Sequence, residues 1–161
     1  MISYELSKKN YKKLDLDIGG LEIKLIHGYT EGFFLEDDMN NLICTFNKEY
    51  TWDEMFNIED VRYRIYKKHL LYVLYFNGQP IGYFFIEPRI KEKCGYLYNL
   101  YVTKLISRPK LSPIWFVNNS IPIVFSNGWC EKITCKCEEW NKSAQNVFIE
   151  NNFIPTISKI I

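Results

Sequence analysis

Apolar and polar residues alternate strictly over Leu21–Ile26 (Leu-Glu-Ile-Lys-Leu-Ile), which predicts a strand with one buried face. Further on, Leu70–Phe76 and Ile81–Ile86 are apolar on both faces and flank Asn77-Gly78-Gln79-Pro80. Asn-Gly accepts the positive φ angles of a type I′ turn, so this pattern predicts a β-hairpin inside a sheet covered on both sides. Glu87-Pro88 is expected to end it. Gly95–Val102 and Ile133–Glu138 read as two more strands, and Phe153–Ile161 as a final strand region.

Between the first strand and the hairpin, residues 31–69 read as helical with breaks. Phe33–Phe46 sets apolar residues on an acidic background, and Glu59-Asp60 suit the N-terminus of a helix running through Val61, Ile65 and His69. Ser112-Pro113 predicts another helix, with Ser112 as N-cap, a kink at Pro122 and a C-cap at Gly128. Asn141 is placed to cap a last helix bearing Ala144, Val147 and Phe148, which Asn152 ends in the left-handed conformation. Residues 1–20 read as a helical arm closed by Gly19-Gly20. No repeat, low-complexity tract or linker interrupts the chain, so one α/β domain over residues 1–161 is expected.

Composition adds a few bounds. Of 161 residues, 47% are hydrophobic and 17% aromatic, enough to build a core. No apolar run is long enough for a transmembrane helix, and the polar start lacks the apolar stretch of a signal peptide. The expectation is a cytoplasmic protein with no membrane partner. The five cysteines are odd in number and lack framework spacing, so reduced thiols are expected. Cys135 and Cys137 would share one face of a strand. With only His27 and His69 elsewhere, no metal-ligand spacing results and no metal is expected.

The net charge of +1 argues against nucleic acid as a partner. The charges are nevertheless segregated. Between Glu31 and Asp60 lie nine acids and one base, Lys48; between Arg89 and Lys110 lie six bases and one acid, Glu92. Solvated helix faces and loops account for such blocks as well as a function does.

The order strand, helices, hairpin, strand, helix, strand, helix, strand resembles a GNAT-type N-acetyltransferase over roughly residues 21–161. Local text agrees. Leu100-Tyr101-Val102 resembles the family's "LYV" at the end of its fourth strand. Arg108 stands where its Arg/Gln-x-x-Gly-x-Gly/Ala loop begins. Asn141-Lys-Ser-Ala144-Gln-Asn-Val-Phe148-Ile-Glu-Asn-Asn-Phe153 resembles its closing "N-x-x-A-x-x-x-Y-x-x-x-G-F".

The resemblance implies a three-layer fold with helices on both faces of a mixed sheet. It also implies acetyl-coenzyme A in a V-shaped gap between Gly95–Val102 and Ile133–Glu138. Backbone groups of Leu100, Tyr101 and Val102 would hold the pantetheine arm. Arg108, Lys110, Ser112 and the helix N-terminus would hold the phosphates, with Asn141 at the far side of the gap. Helix N-termini are physically sound anion sites.

Three departures alter this picture. Leu111 and Pro113 replace the two small residues of the loop, and Pro109 and Pro113 remove N–H donors from it. Phe148 stands where many members carry the tyrosine that protonates the leaving thiolate. Tyr96 stands where some carry a glutamate base. The ionisable groups nearest the expected gap are Tyr96, Tyr98, Tyr101, Glu87, Glu138 and Glu139. Tyr96 and Tyr98 are the catalytic candidates, because a tyrosine can protonate a thiolate.

The expected function is acetyl transfer to a cationic amine, on a small molecule or a protein, drawn by the acidic block. A degenerate fold serving as a binding or assembly module, and a phage-type enzyme modifying nucleic-acid bases, are the alternatives. A homodimer is compatible with each.

Overall fold

The strands of the described residues form one seven-stranded sheet. The computed structural model describes residues 1–26, 36–49 and 57–156. Within them the strands are β1 (Ile2–Ser7), β2 (Leu21–Ile26), β3 (Leu70–Phe76), β4 (Gln79–Arg89), β5 (Cys94–Val102), β6 (Lys132–Cys137) and β7 (Ile154–Thr156). The helices are α1 (Glu36–Glu49), α2 (Ile58–Tyr66), α3 (Ser112–Phe125) and α4 (Lys142–Glu150). The strand order is β2-β3-β4-β5-β6-β1-β7. Only β5 and β6 pair in parallel.

The doubly apolar hairpin forms as expected, with Asn77 at φ 49° and Gly78 at φ 81° in its turn. Its two faces feed two cores. Leu71, Val73, Tyr75, Tyr83 and Phe85 pack with Met39, Leu42 and Ile43 of α1 and Val61 and Ile65 of α2. Tyr72, Leu74, Phe84 and Ile86 pack with Phe116, Val117 and Ile121 of α3 and Val147 and Phe148 of α4. The result is a three-layer α/β sandwich, and continuous apolar runs are what a sheet covered on both faces requires.

Four expectations need correction. The first segment is a strand, not a helical arm. Ile2-Ser-Tyr4-Glu-Leu6-Ser7 alternates, and Tyr4 and Leu6 are buried where β1 lies between β6 and β7. The chain after it is tied to α3 by the buried Asn118, whose side chain accepts from Leu14 N (3.0 Å) and donates to Lys12 O (3.0 Å).

Second, β4 runs through Glu87-Pro88 to Arg89. β3 stops at the Leu70–Ile86 pair, so at Pro88 β4 is paired on the β5 side alone, the edge position where proline is tolerated. Third, α2 ends at Tyr66, and His69 lies beyond it. Lys68 turns left-handed at φ 67°, Lys68 N donates to Ile65 O and His69 N to Arg64 O, both at 2.9 Å. These are the two bonds of a Schellman motif. Asn57, three residues before Asp60, is the N-cap, in a reciprocal capping box. Fourth, Leu111 rather than Ser112 caps α3, and Ser126 rather than Gly128 closes it. Asn141 and Asn152 behave as read: Asn141 Oδ1 accepts from Ala144 N at 3.1 Å, and Asn152 has φ 66°. Of the final strand region, residues 157–161 lie outside the described residues.

Among the described residues no helix is long and apolar enough to cross a membrane. Gly82 sits opposite Val102 at the end of β5, and a Cβ there would lie 2.6 Å from Tyr101 O and 3.2 Å from Val102 Cα. Both are backbone or main-chain-bound atoms of the neighbouring strand and cannot swing away. Gly82→Ala should therefore destabilise the protein by about 2–3 kcal/mol in chemical denaturation, the scale of core overpacking. A change within measurement error would mean that β5 can shift away from β4 at no cost.

Candidate active site

The parallel ladder between β5 and β6 is short. It runs from Cys94–Lys132 to Leu97–Cys135 and stops. Past it β5 runs on beside β4 alone, with Tyr98, Tyr101 and Val102 paired to that strand. This leaves a wedge-shaped gap between the two strands, as the sequence reading expected. A bulge shapes that wall. The β4–β5 register slips between Tyr83 and Phe85, and Asn99 takes φ 54°. The extra residue lets both Tyr98 and Tyr101 pack on the α1/α2 face, while Leu100 and Val102 pack on the α3/α4 face.

Two cavities meet in this gap. The larger, about 680 Å³, is lined by Leu100, Tyr101, Val102, Arg108, Lys110, Asn141, Ala144 and Val147, among others. The smaller, about 340 Å³, is lined by Tyr98, Cys137, Glu138, Phe46 and Phe148. Leu100, Tyr101, Trp140, Asn141 and Ala144 line both. Six of the seven binding candidates from the sequence thus come together: Leu100, Tyr101, Val102, Arg108, Lys110 and Asn141.

Ser112 does not join them. It is fully buried, and its hydroxyl donates to Pro109 O at 2.6 Å. Lys104, Lys142 and Trp140, which sequence reasoning missed, line the larger cavity beside Arg108 and Lys110. Four cations on one cavity match an anionic ligand. Lys142 follows the N-cap Asn141, so its placement was readable once α4 was known to open onto the gap.

The loop after β5 is braced internally. Arg108 Nε donates to Thr103 O at 2.8 Å and Nη1 to Pro109 O at 3.1 Å. Burial lowers the Arg108 pKa, opposed by Glu49, and a guanidinium stays charged at neutral pH regardless. Glu49, at the end of α1, does what an anionic ligand would do. Its Oε1 accepts from Thr103 Oγ1 (2.6 Å), Lys104 N (2.8 Å) and Leu105 N (3.2 Å). The first N–H groups of the loop are therefore committed to a carboxylate of the protein itself, and Ser112 N to Pro109 O at 3.1 Å.

Because Thr103 is fully buried, losing Glu49 would leave its hydroxyl proton without an acceptor, with only the bond it accepts from Leu105 N (3.0 Å) remaining. Glu49→Ala should cost about 2 kcal/mol in urea denaturation, the range for orphaned buried donors. An unchanged midpoint would mean that the loop does not depend on α1.

Around the catalytic candidates, the structure adds a partner that the sequence did not suggest. The His69 Nδ1 and Tyr98 hydroxyl oxygen are 2.5 Å apart. Tyr98 stacks on Phe85 (5.4 Å between ring centroids) and on Tyr96 (5.8 Å), and the Arg64 guanidinium lies 5.1 Å from its ring. Arg89 covers Tyr96 and reaches Glu87 at 3.4 Å. Burial is the main cause that pushes the Tyr98 hydroxyl up to about 12, with Arg64 opposing and Glu87 adding. Burial also raises Tyr96.

Of the other candidates, Glu138 lines the smaller cavity but is exposed, and Glu139 lies 3.9 Å from the Met1 amine. Phe148 is buried against Tyr4 and Phe153 and has no proton to give. The cysteines are free; Cys94, Cys130, Cys135 and Cys137 are buried and Cys44 exposed. Among the described residues no cluster of His, Cys, Asp or Glu is arranged to hold a metal.

No protein-family model matches the chain, and no curated protein matches it. Solved structures do. An acetyltransferase of the GNAT family from Streptococcus pneumoniae superposes with a TM-score of 0.65 at 12% identity, covering 83% of this chain and 84% of that one. An aminoglycoside acetyltransferase from an uncultured soil metagenomic sample, in complex with sisomicin, gives 0.61 at 12% identity, covering 88% and 92%. A functionally unknown conserved protein from Staphylococcus epidermidis gives 0.63 at 13% identity over 96% of this chain, which spans 57% of that protein. At these identities the likeness speaks for architecture alone, and it agrees with the sheet, the two helical layers and the parted strands: the chain has a divergent GNAT acetyltransferase fold.

Proposed function

We propose that the protein transfers an acetyl group from acetyl-coenzyme A to a cationic amine. The observation that carries this reading is the parting of β5 and β6 after Leu97, with two joined cavities in the gap. The larger cavity suits the phosphates, with Lys104, Arg108, Lys110 and Lys142 around it. The stretch Leu100–Val102, which lies beyond the last β5–β6 pair, suits the amides of a pantetheine arm. The smaller cavity, beside Tyr98, suits the thioester. With Pro109 and Pro113 lacking N–H groups and Glu49 holding those of Lys104 and Leu105, side-chain cations carry more of the phosphate binding here than backbone donors do.

The amine acceptor rests on charge. Within the acidic block, Glu36 and Glu59 share Arg62. Asp38 accepts from the Tyr75 hydroxyl at 2.7 Å, and Asp60 from Asn57 N at 3.0 Å. Uncharged donors leave the charge of these two carboxylates in place, so α1 and α2 carry unneutralised negative charge on their side of the sheet. Glu31, Asp53 and Glu54 lie outside the described residues. The field acts only within about 8–10 Å at ordinary salt. An acceptor screen with labelled acetyl-coenzyme A, using spermidine, an aminoglycoside, a lysine peptide and neutral amines, should favour the polycations at low salt and lose that preference at high salt. Preference for neutral or anionic acceptors would refute the electrostatic argument.

A second reading, a binding module without catalysis, draws on Phe148 and on the loop whose first donors are spent on Glu49. Thermal melting with millimolar coenzyme A separates the two: a shift supports the enzyme, and no shift supports the module.

A further inference from the structure

We propose that Tyr98 and His69 form a proton relay for the acceptor nitrogen, with Tyr98 touching the substrate and His69 acting through it as the positioning and proton-storing residue. The proposal rests on the acyl-transfer reading above.

Placement is the first argument. Tyr98 is the residue immediately after the last β5–β6 pair, Leu97–Cys135, so it stands where the gap opens, and it lines the smaller cavity. It faces the α1/α2 layer, away from the cationic phosphate side. Rigidity is the second. The Tyr98 ring is held between Phe85 and Tyr96, and the His69 backbone is pinned by the Schellman motif at the end of α2, so the 2.5 Å contact joins a stacked ring to an anchored residue. Their rings are nearly perpendicular, at 87°, with centroids 5.7 Å apart.

Protonation is the third. Around His69 stand Tyr98 from β5, Glu87 from β4, and Arg64 and Lys67 from the α2 end. Burial, with help from Arg64 and Lys67 and against Glu87, lowers the imidazole below its usual value. At neutral pH the ring is therefore uncharged, and in the Nε2–H tautomer that the relay requires, Nδ1 accepts from the Tyr98 hydroxyl. Tyr98 alone is too weak an acid to exist as phenolate near pH 7. Coupled to His69 it need not: its oxygen takes a proton from the incoming ammonium as its own proton passes to Nδ1.

The balance closes. The ammonium loses one proton, which ends on His69 and then in solvent. The amine attacks the thioester carbonyl, a C–N bond forms and the C–S bond breaks. The second nitrogen proton goes to the departing thiolate, giving the thiol, and the third stays on the amide. Phe148 is not needed at any point.

The test uses His69→Gln and Tyr98→Phe in the full chain, with acetyl-coenzyme A and spermidine, an aminoglycoside or a lysine peptide, whichever the wild type turns over fastest. kcat and KM are measured from pH 5.5 to 9, with coenzyme A affinity and melting temperature alongside. Either variant should lower kcat by about 100-fold, the low end of general acid–base contributions, and the double variant should be no worse than either single one. KM for acetyl-coenzyme A should stay within about twofold, as expected when ground-state binding is untouched. Wild-type kcat should fall on the acid side as His69 protonates, and His69→Gln should flatten that limb. Wild-type transfer with an unchanged limb and rate in His69→Gln overturns the relay alone. No transfer to any of these amines, with no coenzyme A binding, overturns the acyl-transfer reading and the relay together.

Discussion

Placing a tryptophan at Ala144 is expected to abolish coenzyme A binding while leaving the protein folded. Ala144 stands in the first turn of α4 and lines both cavities, so an indole there would fill the passage between them. Its side chain is partly exposed, and its contribution to capping is a backbone N–H donated to Asn141, which the substitution keeps. The fold should therefore tolerate the change, with a melting temperature within a few degrees of wild type. Affinity should fall by at least about 100-fold, or roughly 2.7 kcal/mol. Retained affinity would move the ligand out of the gap.

The largest loss of stability is expected at Phe84. Its ring is almost fully buried, stacks on Tyr72 across the hairpin at 4.7 Å and meets Phe116 of α3 at 4.8 Å. It thus joins the middle of the sheet to the helix that opens the phosphate side. Phe84→Ala removes a ring that fixed aromatic neighbours cannot refill, and should cost about 3–5 kcal/mol in guanidinium denaturation. Losing under about 1 kcal/mol would require Tyr72 and Phe116 to collapse into the space, against their packing here.

The hairpin and β5 were legible because their signals are local: a doubly apolar run, Asn77-Gly78, another run. Asn141 and Asn152 were legible for the same reason, since capping and left-handed closure act within one turn. β1 was misread although Ile2-Ser-Tyr4-Glu-Leu6-Ser7 alternates, because its pairing partners, β6 and β7, lie more than a hundred residues away. Ser112-Pro113 carried a sound local rule, but the turn from Pro109 places the helix start one residue earlier and turns the hydroxyl inward.

The site divides along the same line. Leu100–Val102, Arg108, Lys110 and Asn141 lie in stretches whose text resembles the family, and the gap assembles them. Glu49 and His69 were not legible. Glu49 meets Thr103 across 54 positions, and His69 meets Tyr98 across 29, through two elements that nothing in their own neighbourhoods joins. The Asn99 bulge, which sends Tyr98 and Tyr101 to the same face, is hinted at only by asparagine's tolerance of positive φ.

The central claim is that coenzyme A lies in the gap between β5 and β6. Titrating ¹⁵N-labelled protein with coenzyme A tests it most directly. Amide shifts should concentrate at Leu100–Val102, at residues 108–114 and at residues 140–147. A spectrum unchanged at millimolar ligand, or shifts confined to another face of the sheet, would contradict it.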